Sequence, residues 1–351
     1  MIEAIEREYK RRGRRALTFI MISVLMVAAG SWFFTGVGTA GITAADVLGA
    51  IRNVLFKSRV MENTEQKIVL YLRLPRIVLA IFCGMGLSVS GAALQGVTRN
   101  PLVSPFTMGI SSAAAFGASL SIVFGAGAFP GSTAGIVLSA FSWALLCTIL
   151  VYLVSARVGM TAESIILTGI AFNYLFNAAD SLVKFFASDY QLAAAVQWIF
   201  GSLNGATWPK VSIVILVVIP CLALIYRYAQ PLNILSDGDD EVAKSLGISP
   251  GHVRRIVGLL SVLATAAIIS FTGVIGFVGL AGPHIARLLI GGDHRYLLPF
   301  SAMTGALLVL AADTLGRVIL SPVNVPVGII ISFLGVPVFV NLILNGRRER
   351  A

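Results

Sequence analysis

Charge is what this sequence has least of. Only 12% of its 351 residues are Asp, Glu, Lys or Arg, about half the share of a soluble domain. Residues 101–156 hold no acid, base or histidine at all, and no water-facing surface can be built from such a stretch. Cysteine is scarcer still, with three residues in all. Cys83, Cys147 and Cys221 each lie inside an apolar run without metal-ligand spacing, so neither a disulfide framework nor a thiolate metal site is expected. His252, His284 and His294 are scattered, no cluster of His, Cys or carboxylate suggests a catalytic centre, and no metal or other cofactor is expected. The sequence also lacks a G-x-x-x-x-G-K-[ST] phosphate loop and any Gly-Lys pair. ATP chemistry, if it drives this protein, therefore resides on another polypeptide.

What the sequence has is apolar length. Hydrophobic residues make up 57% of it, mean hydropathy is +0.90, and runs of about 20 apolar residues recur from end to end. Spans are predicted near 16–38, 77–98, 106–125, 132–155, 163–187, 210–228, 257–275, 276–291, 297–316 and 326–345. Gly273, Gly276, Gly279, Gly282 and Pro283 interrupt the pattern within 257–291. The expected fold is all-α, a polytopic membrane protein with about ten transmembrane helices forming one domain over 1–351. Ala16 to Val37 is longer than a signal-peptide core and reads as a retained first span behind a basic tail at 1–15. Ten spans put both termini on one side, and a cytoplasmic amino terminus leaves the larger share of the 26 Lys and Arg inside. The net charge of +10 lies between spans as topology signals do, which points to membrane lipid and away from nucleic acid as a partner.

Inside the spans, glycine mixes with Ala and Ser, as at Gly84, Gly86, Ser88, Ser90 and Gly91, a pattern that lets helices approach closely in lipid. Pro220 predicts a kink. Asp180 and Lys184 are charges four residues apart within the fifth span, either a structural pair or contacts facing a cavity. Phe172, Tyr174, Phe176, Trp198 and Phe200 fit ordinary packing or the lining of a path for a planar chelate. One segment differs in kind. Residues 229–256 mix acids and bases in a predicted cytoplasmic loop. Asp240 to Leu246 suits a short helix with acids at its positive end and Gly247 as its stop, and Ser249 then Pro250 suits the start of another. This knob is read as a docking element for a soluble partner.

Family likeness enters through a series of short stretches. They are Arg73-Leu-Pro-Arg76, Ser90-Gly-Ala-Ala-Leu-Gln-Gly96, Arg99-Asn-Pro-Leu-Val-Ser-Pro105 and Leu246-Gly-Ile-Ser-Pro250. Gly276-Phe-Val-Gly-Leu-Ala-Gly-Pro-His-Ile-Ala-Arg287, Asp293-His-Arg295, Ala312-Asp-Thr-Leu-Gly-Arg317, Val325-Pro-Val-Gly328 and Leu334-Gly-Val-Pro337 follow. In this order, over about residues 68–345, the chain resembles the permease subunits of ABC importers for ferric siderophores, haem and cobalamin (FecCD-like, type II).

The resemblance implies a homodimer around a central path, two cytoplasmic ATPase subunits and a periplasmic or lipid-anchored substrate-binding protein. It implies import of an iron chelate or cobalamin across the cytoplasmic membrane, with no enzymatic activity in this chain. ATPase coupling falls to Glu241, Lys244, Leu246, Gly247, Ser249 and Pro250. Arg73, Arg76 and Arg317 match positions that receive glutamates of the receptor; headgroup anchoring, or an i,i+4 pair of Arg317 with Asp313, is the plainer reading. Asn100 and Leu102 match positions near the cytoplasmic gate, and Asp180 and Lys184 join them as candidates along the path. Thr161-Ala-Glu163 departs from the hydroxyl-rich gate loop of similar permeases. The alternative class is an ion-coupled secondary transporter, which would need a deep acid such as Asp180; the folded knob argues against it.

Overall fold

The computed structural model describes residues 2–36, 46–49, 52, 64–127, 129 and 131–345, and every regular element among them is helical. Helix α1 spans Ile2–Gly36 and α2 Thr64–Thr98. Then come α3 Ile110–Phe124, α4 Thr133–Arg157, α5 Ala162–Phe185, α6 Asp189–Ile199 and α7 Trp208–Arg227. Two short helices follow, α8 Ala229–Asp237 and α9 Asp240–Ser245. The last four are α10 Pro250–Thr272, α11 Val278–Ile290, α12 His294–Val318 and α13 Val327–Asn345. Seven of these are long and apolar enough to cross a membrane, and the apolar parts of α3, α11 and α13 are shorter. Together they coincide with the ten predicted spans. Helices α6 and α8 were not anticipated, and the second short helix expected after Ser249 is the start of the long α10.

Polar residues at the helix ends explain why the chain stops and restarts where it does. Ser132, Thr161 and Ser188 cap α4, α5 and α6 by accepting hydrogen bonds from the backbone N–H groups of Gly135, Ser164 and Gln191. The glycine-rich stretch between α10 and α11 breaks what would otherwise be one long apolar run; Gly273 there has φ of +69°. Pro75 has a local effect on α2. It has no N–H to give the preceding turn, and residues 69–73 widen into a π-type turn in which Leu74 N–H bonds Val69 O. The indole of Trp208 donates to Leu70 O at 3.0 Å. Helix α7, in contrast, continues unbroken through Pro220.

Helices α2, α10 and α12 form the centre of the bundle and are the most buried of the long helices. Small residues make that centre possible. A Cβ at Gly84 would lie 2.2 Å from Gly305 O, and one at Gly91 would lie 1.9 Å from Gly279 O. The α2 backbone thus touches α12 and α11 directly. Around it, one apolar cluster joins α3, α4, α5 and α10 through residues such as Ala114, Ala144 and Ile165, and a second joins α2, α7 and α12 through Leu87, Val218 and Val309. Met21, Leu25, Phe33, Leu153 and Leu216 point outward. An apolar exterior around a small-residue interior is what lipid as solvent selects.

Candidate functional site

Polar chemistry gathers at the two ends of the bundle. At one end α8 and α9 form the knob. Asp240 and Glu241 open α9 and Lys244 closes it, matching the helix dipole. Gly247 has φ of +77°, and its N–H bonds Lys244 O while Ile248 N–H bonds Ala243 O, at 2.9 Å each. The predicted glycine stop is therefore present. Ser249 holds the N-cap position with Pro250 at the first helical position, as the sequence predicts. Its carbonyl accepts from Val253 N–H, while its side chain makes no capping bond.

What clamps the knob to the bundle was not legible. Arg254, on α10, is 3% exposed and donates twice to Asp240, at 2.7 and 2.8 Å. It also donates to Val97 O. Arg99, in the left-handed region at the end of α2, donates to Leu235 O at 2.8 Å and to Asp240. The Arg254 hydrogen bond, helped by Arg99 and opposed by burial, holds the Asp240 carboxyl below its usual range. Glu241 and Lys244 pair at 2.8 Å on the outer surface, where Val242 and Leu246 are also exposed. Asn100 follows Arg99 directly, and its side chain accepts from Leu102 N–H at 2.9 Å. Leu102 is 45% exposed. The candidate gate loop is thus a short turn hung from the same α2 terminus that grips the knob.

The other end holds Arg73, Arg76 and Arg317; the fold brings Arg76 and Arg317 together on Asp313. Arg76 makes a bidentate pair with Asp313, at 2.8 to 2.9 Å, and donates to Asn204 at 2.6 Å. Arg317 lies 3.5 Å from Asp313, the i,i+4 pair anticipated in the sequence. Arg73 donates to Thr35 O at the end of α1 and is 8% exposed. Sequence reasoning missed Arg76 as a partner of Asp313, because 237 residues separate them.

Between the ends, Asp180 accepts from Lys184 at 2.5 Å and from Ser119 at 2.6 Å. Asp180 is buried, so the pair clasps α5 to α3 within the protomer. Phe176 packs tilted or edge-on against Phe116, Trp143 and Phe172, whereas Tyr174 is exposed. Phe200 lines a cavity of about 610 Å³ with Phe277, Ser332 and Phe333. Among the described residues no group of three His, Cys, Asp or Glu could hold a metal ion.

A bundle this apolar, with ion-paired clusters at its two ends, is that of a multi-pass membrane protein, and its relatives are permeases. The hemin transport system permease protein of Yersinia pestis is 35% identical to it over 96% of this chain and 98% of its own length. The cobalamin import system permease protein of Halobacterium salinarum is 38% identical, over 82% and 76%. A solved structure described as an inward-facing metal-chelate type ABC transporter aligns with a TM-score of 0.82 at 30% identity, covering 93% of this chain and 99% of that one. The sequence pattern of the FecCD transport family matches residues 18–345, and the chain belongs to that family.

Proposed function

We propose that this chain is the membrane-spanning subunit of a binding-protein-dependent ABC importer that carries an iron chelate (a ferric siderophore or haem) or cobalamin into the cytoplasm. The observation that carries the reading is the knob. Two arginines from two central helices fix it rigidly, and its exposed Glu241, Val242, Lys244 and Leu246 offer a charged and apolar face to an ATPase subunit. The knob end is cytoplasmic, as are both termini. Two copies of the chain enclose the path, each with an ATPase, and Asn100 and Leu102 lie at the inner gate. A periplasmic or lipid-anchored receptor docks on the opposite end through Arg76 and Arg317, with Arg73 bracing α1 beneath them. Asp180, engaged by Lys184 and Ser119, has little in common with the free acid that an ion-coupled carrier requires.

The test is uptake into proteoliposomes holding this protein with its ATPase and receptor, using ferric citrate, haemin and cyanocobalamin as cargoes. Uptake of one of them should require internal ATP and survive an uncoupler. Uptake independent of ATP that vanishes with the uncoupler would overturn the assignment.

A further inference from the structure

We infer that Asn233 and His294 are positioning residues that transmit motion of the knob to the inner end of α2, and so to the Asn100–Leu102 turn. The inference rests on the importer reading and names the side chains through which coupling runs.

Asn233 lies in the middle of α8. Its amide Nδ2 donates to Asp293 Oδ1 at 2.8 Å, and its Oδ1 accepts from His294 N–H at 2.7 Å. The same oxygen lies 2.8 Å from His294 Nδ1; since a carbonyl oxygen only accepts, Nδ1 carries the proton. Asp293 is in turn held by Arg295. One side chain therefore fastens α8 to the first turn of α12 by three hydrogen bonds. The imidazole beyond it is 2% exposed; its Nε2 makes no hydrogen bond of good geometry, with the Ala92 backbone of α2 its nearest polar neighbour. That edge rests on α2: a Cβ at Gly96 would lie 2.7 Å from Nε2 and 3.2 Å from Leu232 of α8. Three residues further along α2, Arg99 grips Leu235 O of the same helix α8.

Helix α8 thus holds the α2 terminus in two ways, pressing on Gly96 through His294 and Leu232, and pulling on Arg99. Asn100 begins immediately after. A close-packed contact on backbone cannot absorb displacement, so a shift of α8 must be passed on to α2. A buried nitrogen left unpartnered is costly, and here its place is explained by the ring's contact with Gly96.

The test uses Leu102→Cys as a reporter. The three native cysteines are buried, so a maleimide reads position 102. The complex with the ATPase is labelled with and without ATP and vanadate. In the reporter protein the two rates should differ, and Asn233→Ala should shrink that difference about fivefold or more while the ATPase still co-purifies. His294→Asn retains a donor toward Asn233 but removes the ring from Gly96, and should also uncouple. Gly96→Ala added to His294→Asn refills the gap and should restore the response. Restoration by an added methyl is a result that a merely structural role would not produce. Equal ATP responses in the reporter, Asn233→Ala and His294→Asn would overturn the relay alone. A reporter protein that captures no ATPase would overturn the importer reading and the relay with it.

Discussion

Asp240 accepts from arginines on two different helices, and its titration should be measurable at the knob. Its folded-state pKa is depressed, chiefly by the Arg254 hydrogen bond. A depressed carboxyl adds stability that is fully present above its unfolded value of about 4 and is lost as pH falls through the folded value. Protection factors at residues 238–248, the intrinsic exchange rate at each pH divided by the observed one, should therefore stay constant from about pH 8 to about pH 5 and fall below about pH 4. Asp240→Asn should raise exchange at neutral pH and flatten that response. The cost should be about 1–3 kcal/mol, toward the lower figure because solvent reaches the carboxylate; its side chain is 33% exposed. Asp293, held at about 2 by Arg295 and Asn233 against the opposing effect of burial, titrates in the same direction. Its effect belongs to the α8–α12 junction that it shares with Asn233, so peptides from 229–237 and the start of α12 report it separately from α9. A pH-independent knob in the unaltered protein would contradict this account.

At the scale of an element, α9 depends on how it ends. A Cβ at Gly247 would meet nothing within 4 Å, so space does not select glycine there. Its φ of +77° does. Gly247→Val should cost about 1 kcal/mol or more through backbone conformation alone, shift the exposed face of Val242 and Leu246, and reduce both ATPase co-purification and transport. Gly247→Asn, which tolerates the left-handed region, should retain most of both. Equal recovery of ATPase with the Val and Asn variants would remove α9 from the docking surface. The same logic separates the ends of α9 from its neighbour: Ser249 holds the N-cap position without a side-chain bond, and Ser249→Ala should be close to neutral in both measurements.

For the whole molecule, the charges inside a span bear on what kind of machine this is. A charge within a span costs up to about 2.5–3.5 kcal/mol on insertion scales, less toward the helix end. Asp180 and Lys184 lie in the C-terminal part of α5, and Asp180 is partnered by Lys184 and Ser119. Asp180→Asn leaves Lys184 without its carboxylate, so it should lower the thermal midpoint and reduce transport only in part, with ATP dependence intact. Adding Lys184→Met should recover stability, because removing both partners of a buried pair is far less damaging than removing one. Complete loss of uptake in Asp180→Asn, with stability unchanged, would instead make Asp180 part of the transport chemistry.

The sequence by itself determined the fold class, because each apolar span is a local fact of about 20 residues that lipid enforces wherever the chain folds. It determined α9, the Gly247 stop and the helix start at Ser249–Pro250, which depend on neighbours a few residues away. It also determined the Asp180–Lys184 and Asp313–Arg317 pairs, since four residues is one helical turn. The family was readable from ordered short motifs, and the match over residues 18–345 agrees. Only the tertiary structure decided which charges meet across the bundle: Arg76 with Asp313, Arg254 and Arg99 with Asp240, Asn233 with His294. Those partners lie on different helices, and no periodicity encodes which face of one helix is turned toward which face of another. The direct contact of α2 with α11 and α12 belongs to the same category. Glycine in a span permits a close approach, but the backbone that arrives at Gly84 and Gly91 is chosen by the packing of the whole bundle.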